Sequence, residues 1–170
     1  MKCTRCDLHT RSNRVIGRGV LPCDLLIVGE APGKVEDYFR EPFVGRAGRL
    51  LSEVLRRCQE KHSGERLITV YITNLIQCRP CDSLGGPNRE PVLSEVIACR
   101  QNFLSRLRRA HPKIVLLLGK VTRQHLKMIC PAAYCTLHPA YVLRCGGVGS
   151  SEFNVLLNVV EEAYQDALQC

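Results

Sequence analysis

Leu25-Leu26-Ile27-Val28-Gly29-Glu30-Ala31-Pro32-Gly33 is the stretch whose reading decides the fold. Four apolar residues after Pro22, ended by a glycine, read as a buried strand that delivers its carboxyl end to a loop. That loop runs from Gly29 to Gly45. Beyond it, Ala47, Leu50, Leu51, Val54, Leu55 and Cys58 recur at the spacing of one helical face, predicting a helix over Arg46–Cys58 packed on a sheet. Leu67–Thr73 reads as the next strand, Leu93–Leu107 as a helix, and Ile114–Leu118 as a third strand closed by Gly119. A short helix near Lys120–Met128 precedes a fourth strand around Ala133–Thr136. His138-Pro139-Ala140 opens a loop, a Gly-rich turn follows at Gly146–Gly149, and Glu152–Leu168 closes the chain as a helix. Strands alternating with helices predict an α/β fold: a single-domain αβα sandwich over 1–170 with a central, mainly parallel four-stranded sheet.

In such sheets ligands bind beyond the carboxyl ends of the strands, so the loops starting at Gly29, Asn74, Gly119 and Leu137 should converge. Those loops hold the chemistry. The glycines of Gly29-Glu30-Ala31-Pro32-Gly33 allow backbone to approach a ligand closely, but the segment lacks the spacing of a dinucleotide or P-loop site. Phe43 offers a ring to stack on, Asn74 an amide that donates and accepts, and His138 a third group at the end of the fourth strand. A flat ring with amide-like edges, a nucleobase, satisfies all three. Each residue also has an ordinary reading: Phe43 in the core, Asn74 in a turn, His138 in a loop before proline. Their company favours a site. Cys81–Pro91, rich in Gly and Pro, reads as a flexible insertion.

The 170 residues are 45% apolar, enough for one domain with a sizeable core. No apolar run reaches the roughly 18 residues that cross a bilayer, and the N-terminal residues are cysteines and charges, so an intracellular, membrane-free protein is expected. Eleven cysteines are then expected to be thiols and metal ligands more than disulfides. A formal charge of +8 suits nucleic acid as partner, although solubility alone would also explain it.

Cys3-x-x-Cys6 lets one turn present two thiolates to a metal centre, and zinc or an iron–sulfur cluster needs two more. Cys78 and Cys81 would complete a four-cysteine zinc site; Cys78 and Cys99 would suit a cluster held by a loop and a helix. Spacing leaves both open. A thioredoxin-like redox motif is weaker, because it needs a strand before the cysteine pair. The other cysteines, Cys23, Cys58, Cys130, Cys135, Cys145 and Cys170, read as small buried or incidental thiols.

Several segments in order, CTRCDLHTRSNRVIGRG from Cys3, LLIVGEAPGKVED, PFVGRAGRLL, TNLIQCRP, NREP, ACRQNFL, LLLGK and LHPAYVLR from Leu137, resemble the family 4 uracil-DNA glycosylases. The resemblance implies a DNA-repair enzyme that flips uracil out of single- or double-stranded DNA and hydrolyses its N-glycosidic bond, leaving an abasic site. It implies a structural [4Fe–4S] cluster on Cys3, Cys6, Cys78 and Cys99, with zinc as the alternative cofactor. It also implies a base pocket formed by the Gly29, Glu30, Ala31 and Gly33 segment, with Phe43 stacking on uracil, Asn74 reading its amide edge and His138 facing its oxygen. His138 is then the catalytic donor, and Glu36, ahead of Glu30, the carboxylate that serves the attacking water or the sugar cation. Tyr141, Val142 and Leu143 are expected to form a wedge, and Arg144, Arg46, Arg49 and Arg79 to meet DNA phosphates. A monomer is expected.

The chain departs from the family pattern in a short insertion between Pro80 and Asn88 and in Arg40, which stands where a glycine is usual. It also lacks the Lys-Arg-Arg-Ile-His-like segment of relatives trapped covalently on uracil DNA, so reversible turnover is expected. Two rival readings are a catalytically inactive iron–sulfur or zinc module that binds nucleic acid or protein, and an enzyme acting on free bases or nucleosides.

Overall fold

Strand β2 (Leu25–Gly29) is buried along its whole length, and its side chains divide alternately between two separate cores. Leu25 and Ile27 face one core, Leu26 and Val28 the other. This is why the segment is continuously apolar instead of alternating: a parallel strand with helices on both faces has no wet side. The computed structural model describes residues 3–170; Met1 and Lys2, the first two residues of the expected single domain, lie outside the described residues.

The sheet has five strands, one more than expected, in the order β1 (Arg18–Gly19), β3 (Val70–Asn74), β2, β4 (Ile114–Leu118), β5 (Tyr134–Thr136). The four expected strands are there and parallel to one another. The addition is β1, a two-residue edge strand antiparallel to β3, too short and too rich in glycine to leave a periodic signal. One face of the sheet is covered by α2 (Arg46–Lys61), α5 (Pro139–Arg144) and α6 (Ser151–Gln169), through Leu51, Val54, Val142, Phe153, Leu156 and Val160. The other is covered by α3 (Leu93–Ala110), α4 (Lys120–Leu126) and the N-terminal segment, through Leu8, Val96, Cys99, Phe103 and Leu126. Helix ends are held locally. Ser150 Oγ accepts from Phe153 N–H at 3.1 Å, and the Glu95 carboxylate reaches back to Val92 N–H at 3.0 Å.

Two expected loops contain helices. Gly29–Gly45 carries α1 (Lys34–Phe39), a helix without a single buried residue and so without an apolar period to read. His138-Pro139-Ala140 starts α5: His138 is its N-cap and Pro139 occupies the first turn, where a missing N–H costs nothing. The Cys81–Pro91 segment, expected to be a flexible insertion, is anchored near both ends. Arg89 bridges Asp82 and Glu95, and Cys81 is fully buried.

The sheet order places β3 and β4 on opposite sides of β2, so the chain reverses direction across the sheet there. The crevice opens at the carboxyl ends of these strands, where Gly29, Asn74 and Gly119 lie.

Candidate active site and thiol cluster

A cavity of about 420 Å³ sits at that crevice. The loop after β2 supplies Glu30, Ala31, Pro32 and Gly33; α1 supplies Glu36; Phe43, Asn74, His138 and Arg46 are also part of the lining. Gly29, expected in the base pocket, does not itself line this cavity but lies behind Phe43 and Asn74, where its lack of a side chain is essential. A Cβ there would stand 2.5 Å from both Asn74 Oδ1 and Phe43 Cζ.

Phe43 is core and site at once: it belongs to the α2/α6 core, is 6% exposed, and lines the cavity. Its backbone is left-handed, with φ 56°, a conformation that costs a bulky residue about 1–2 kcal/mol. The surroundings enforce it. Arg18 Nη2 donates to the Phe43 carbonyl at 3.3 Å, and that carbonyl occupies the place a Cβ on Gly48 would need, 1.8 Å away. Arg40 is likewise left-handed, φ 57°, at the end of α1, so its departure from glycine adds local strain without changing the path of the chain.

His138 has a defined tautomer. Its Nδ1 accepts from Ala140 N–H at 3.1 Å, which leaves Nδ1 without a proton and puts the neutral ring's hydrogen on Nε2. Burial, and secondarily the Arg144 charge, push its pKa down to about 4 against a weaker opposing pull from Glu36. At neutral pH the site therefore holds an uncharged imidazole with a hydrogen-bond donor to offer. Its ring lies 5.9 Å from that of Phe43, centroid to centroid.

The two carboxylates differ. Glu36 Oε1 accepts from Gly45 N–H at 2.7 Å, and the absence of side chains on Gly33 and Gly45 makes room for the carboxylate. Glu30 has its pKa raised by burial and by Glu90, which disfavours its charged form. Tyr141 and Arg144 are exposed and Leu143 half-buried on α5, immediately after His138; the Arg144 guanidinium lies 5.7 Å from the Tyr141 ring centre. Arg46 and Arg49 are exposed at the start of α2.

Arg79 is a correction. Expected on DNA phosphates, it is 2% exposed and spent inside the protein. Its Nε donates to Asp37 at 3.2 Å and its Nη1 to Gly86 O at 2.7 Å and Asn88 Oδ1 at 3.1 Å. Asp37 in turn accepts from Asn13 N–H at 2.6 Å. One buried guanidinium thus joins the N-terminal segment, α1 and the insertion. Sequence gave no sign of this, because an arginine after a cysteine looks the same on a surface. Lys34, Val35, Asn88 and Arg89 also line the cavity; they lie inside segments that carry the resemblance, but no role was expected of them there.

On the other side of the sheet, Cys3, Cys6, Cys78 and Cys99 line one shared cavity, which Cys81 does not reach. Among the described residues no three His, Cys, Asp or Glu side chains stand close enough to hold a single metal ion. The donor set nonetheless suits a thiolate-bound group: four sulfurs, of which Cys99 Sγ accepts from Gln77 N–H at 3.4 Å and Cys3 Sγ from Asn102 Nδ2 at 3.4 Å. Burial, then the neighbouring Cys99, Cys6 and Cys3, push the Cys78 thiol up to about 12. At Cys3 burial is outweighed by the Arg5 N–H, Asn102 and the Arg14 and Arg5 charges, and its pKa falls. These four thiols feel one another's charge.

The chain is 38% identical over 138 residues to a type-4 uracil-DNA glycosylase of Archaeoglobus fulgidus, covering 81% of this chain and 64% of that one. Against proteins of the same name it is 43% identical over 119 residues in Thermotoga maritima (69% and 57%) and 39% over 125 in Pyrobaculum aerophilum (73% and 59%). The chain thus spans about six-tenths of the length of these curated relatives. The family model for the uracil DNA glycosylase superfamily matches residues 16–161, which include β1 to β5, α1 and His138, and the chain belongs to that superfamily.

Proposed function

We propose that the protein excises uracil from DNA by hydrolysing the N-glycosidic bond, as a monomer acting on single- and double-stranded substrates. The observation that carries this reading is the grouping of Phe43, Asn74 and a neutral, Nε2-protonated His138 around one cavity. Phe43 stacks on the flipped base and the Asn74 amide pairs with its donor–acceptor edge. The C1′–N1 bond breaks with its electron pair leaving on N1, and the charge spreads to the uracil oxygens. His138 Nε2–H donates to the oxygen that gains it, a group aimed at charge that exists only in the transition state. Its neutrality matters, because the donor keeps its proton throughout. Glu36, oriented by Gly45 N–H, faces the sugar cation and the water whose oxygen bonds to C1′ and whose proton is released. The base leaves the helix first, at a cost of a few kcal/mol that is least in single strands. Tyr141 and Leu143 fill the gap it leaves, while Arg46 and Arg144 meet phosphate.

Cys3, Cys6, Cys78 and Cys99 would hold a [4Fe–4S] cluster, whose contribution is to fasten four thiols from the N-terminal segment, the loop after β3 and α3. The cluster takes no part in bond breaking. Incubating the purified protein with single-stranded and U:G duplex oligonucleotides, then cleaving with alkali, tests the activity. Uracil-dependent abasic sites that form far more slowly in H138A are expected. DNA binding without any such sites from metal-replete protein would replace this reading with an inactive binding module.

A further inference from the structure

Helix α1 turns only part of its surface to the cavity. Val35 lines the mouth, and Phe39, one helical turn further on, continues the same stripe outward. Tyr38 packs edge-on against Phe39, ring centres 5.0 Å apart and planes at 85°. Tyr38 is 80% exposed and Phe39 64%, and Val35 is 44% exposed. Three adjoining apolar residues left in water beside a ligand cavity need a reason, since a six-residue helix with no buried residue gains nothing from them in stability. On and beside this helix Asp37 is ion-paired to Arg79 and Glu41 to Arg18, whereas Lys34, Arg40 and Arg46 form no ion pair among the described residues; Glu36 turns to the cavity, where it accepts from the neutral Gly45 N–H.

We infer that Tyr38 and Phe39 form a stacking step for the unpaired nucleobase next to the flipped uracil, with Lys34 and Arg40 beside it for the intervening phosphate. The inference rests on the uracil-excision reading, since it takes the cavity as the uracil site. An aromatic face accepts any base, so the step confers affinity for single strands without sequence preference. In a duplex the neighbouring base stays stacked within the helix and has less to gain. The step is thus a single-strand subsite that extends the pocket outward along the stripe from Val35.

The test compares wild type, Y38A/F39A and the conservative Y38F/F39W by fluorescence anisotropy. The probes are single-stranded uracil oligonucleotides in which the base on either side of uracil is present or replaced by an abasic spacer. The same variants are titrated with U:G duplex. Wild type should bind the base-flanked strand about 5- to 100-fold more tightly than the spacer on one side, the range of one base–aromatic stack. Y38A/F39A should lose that preference, Y38F/F39W should keep it, and duplex affinity should change little. A preference that survives in Y38A/F39A overturns the inference, as does an equal loss for base-flanked and spacer strands. Binding is read here, not excision, so a protein that stacks bases but excises nothing sinks only the catalytic reading.

Discussion

Arg79→Met removes the buried guanidinium that joins three segments, and the structure sets the size of the effect. The lost bonds are those to Asp37 Oδ2, Gly86 O and Asn88 Oδ1. Taking one partner from a buried pair costs about 3–5 kcal/mol, mostly because the other charge is left behind. Asp37 keeps the Asn13 N–H and its side chain is 14% exposed, and Gly86 lies near solvent, so the low end, about 3 kcal/mol, applies. In a domain of this size that lowers the melting temperature by about 6–12 °C. Denaturant titration of metal-replete wild type, R79M, D37N and the double variant gives the cycle. D37N/R79M should be more stable than R79M alone by about 1–2 kcal/mol, because the orphaned carboxylate is gone. A melting point for R79M within about 2 °C of wild type would refute the reasoning, since a phosphate-binding arginine on the surface would behave that way.

Four further outcomes are expected. H138A should lower excision by about 10²–10³-fold with substrate binding nearly kept, as for loss of one oxyanion donor, measured as single-turnover rate against KM. With its pKa lowered to about 4 in the folded state, His138 should leave the wild-type rate level from pH 8 to 5 and let it fall only through about pH 4. Its contribution to stability is complete above the unfolded value near 6.5 and is lost as the pH falls toward 4, on the order of 3 kcal/mol, visible in urea titrations across that window. Gly29→Ala should raise KM steeply in a protein that still folds, because the methyl competes with Phe43 and Asn74 for the space the base needs; unchanged KM would remove Gly29 from the pocket. Finally, Cys99→Ser should lose bound metal, assayed per chain, and Cys81→Ser should retain it, with the reverse pattern pointing to the Cys78/Cys81 alternative.

Much of this was written in local pattern. The three five-residue strands β2, β3 and β4 announced themselves because each is mostly apolar and ends at or just before a glycine or polar residue, and α2 and α6 because each presents one apolar stripe. The grouping of Glu30, Phe43, Asn74 and His138 followed from the rule that loops at the carboxyl end of a parallel sheet meet. What stayed hidden has a common physical character. β1 is two residues long, α1 buries nothing, and α5 is a six-residue helix that begins at a capping histidine, so none carries a period. The Arg79–Asp37–Asn13 link is a long-range pairing of charges and amides, and such pairing leaves no spacing in the chain. Phe43's left-handed backbone is imposed by Arg18 and Gly48 from outside its own segment.

The thiol cluster also has a history in time. Asn102 reaches the sulfur of Cys3 across 99 positions of sequence, and Cys99 shares that amide. At about 5–20 residues per second of synthesis, Cys3 and Cys6 emerge roughly 5–20 s before the helix that completes their site. In that interval they are accessible thiols with no partner to fold against. Two of the four thiols are thus made well before the two they meet, and during that interval a nascent chain is open to oxidation at Cys3 and Cys6.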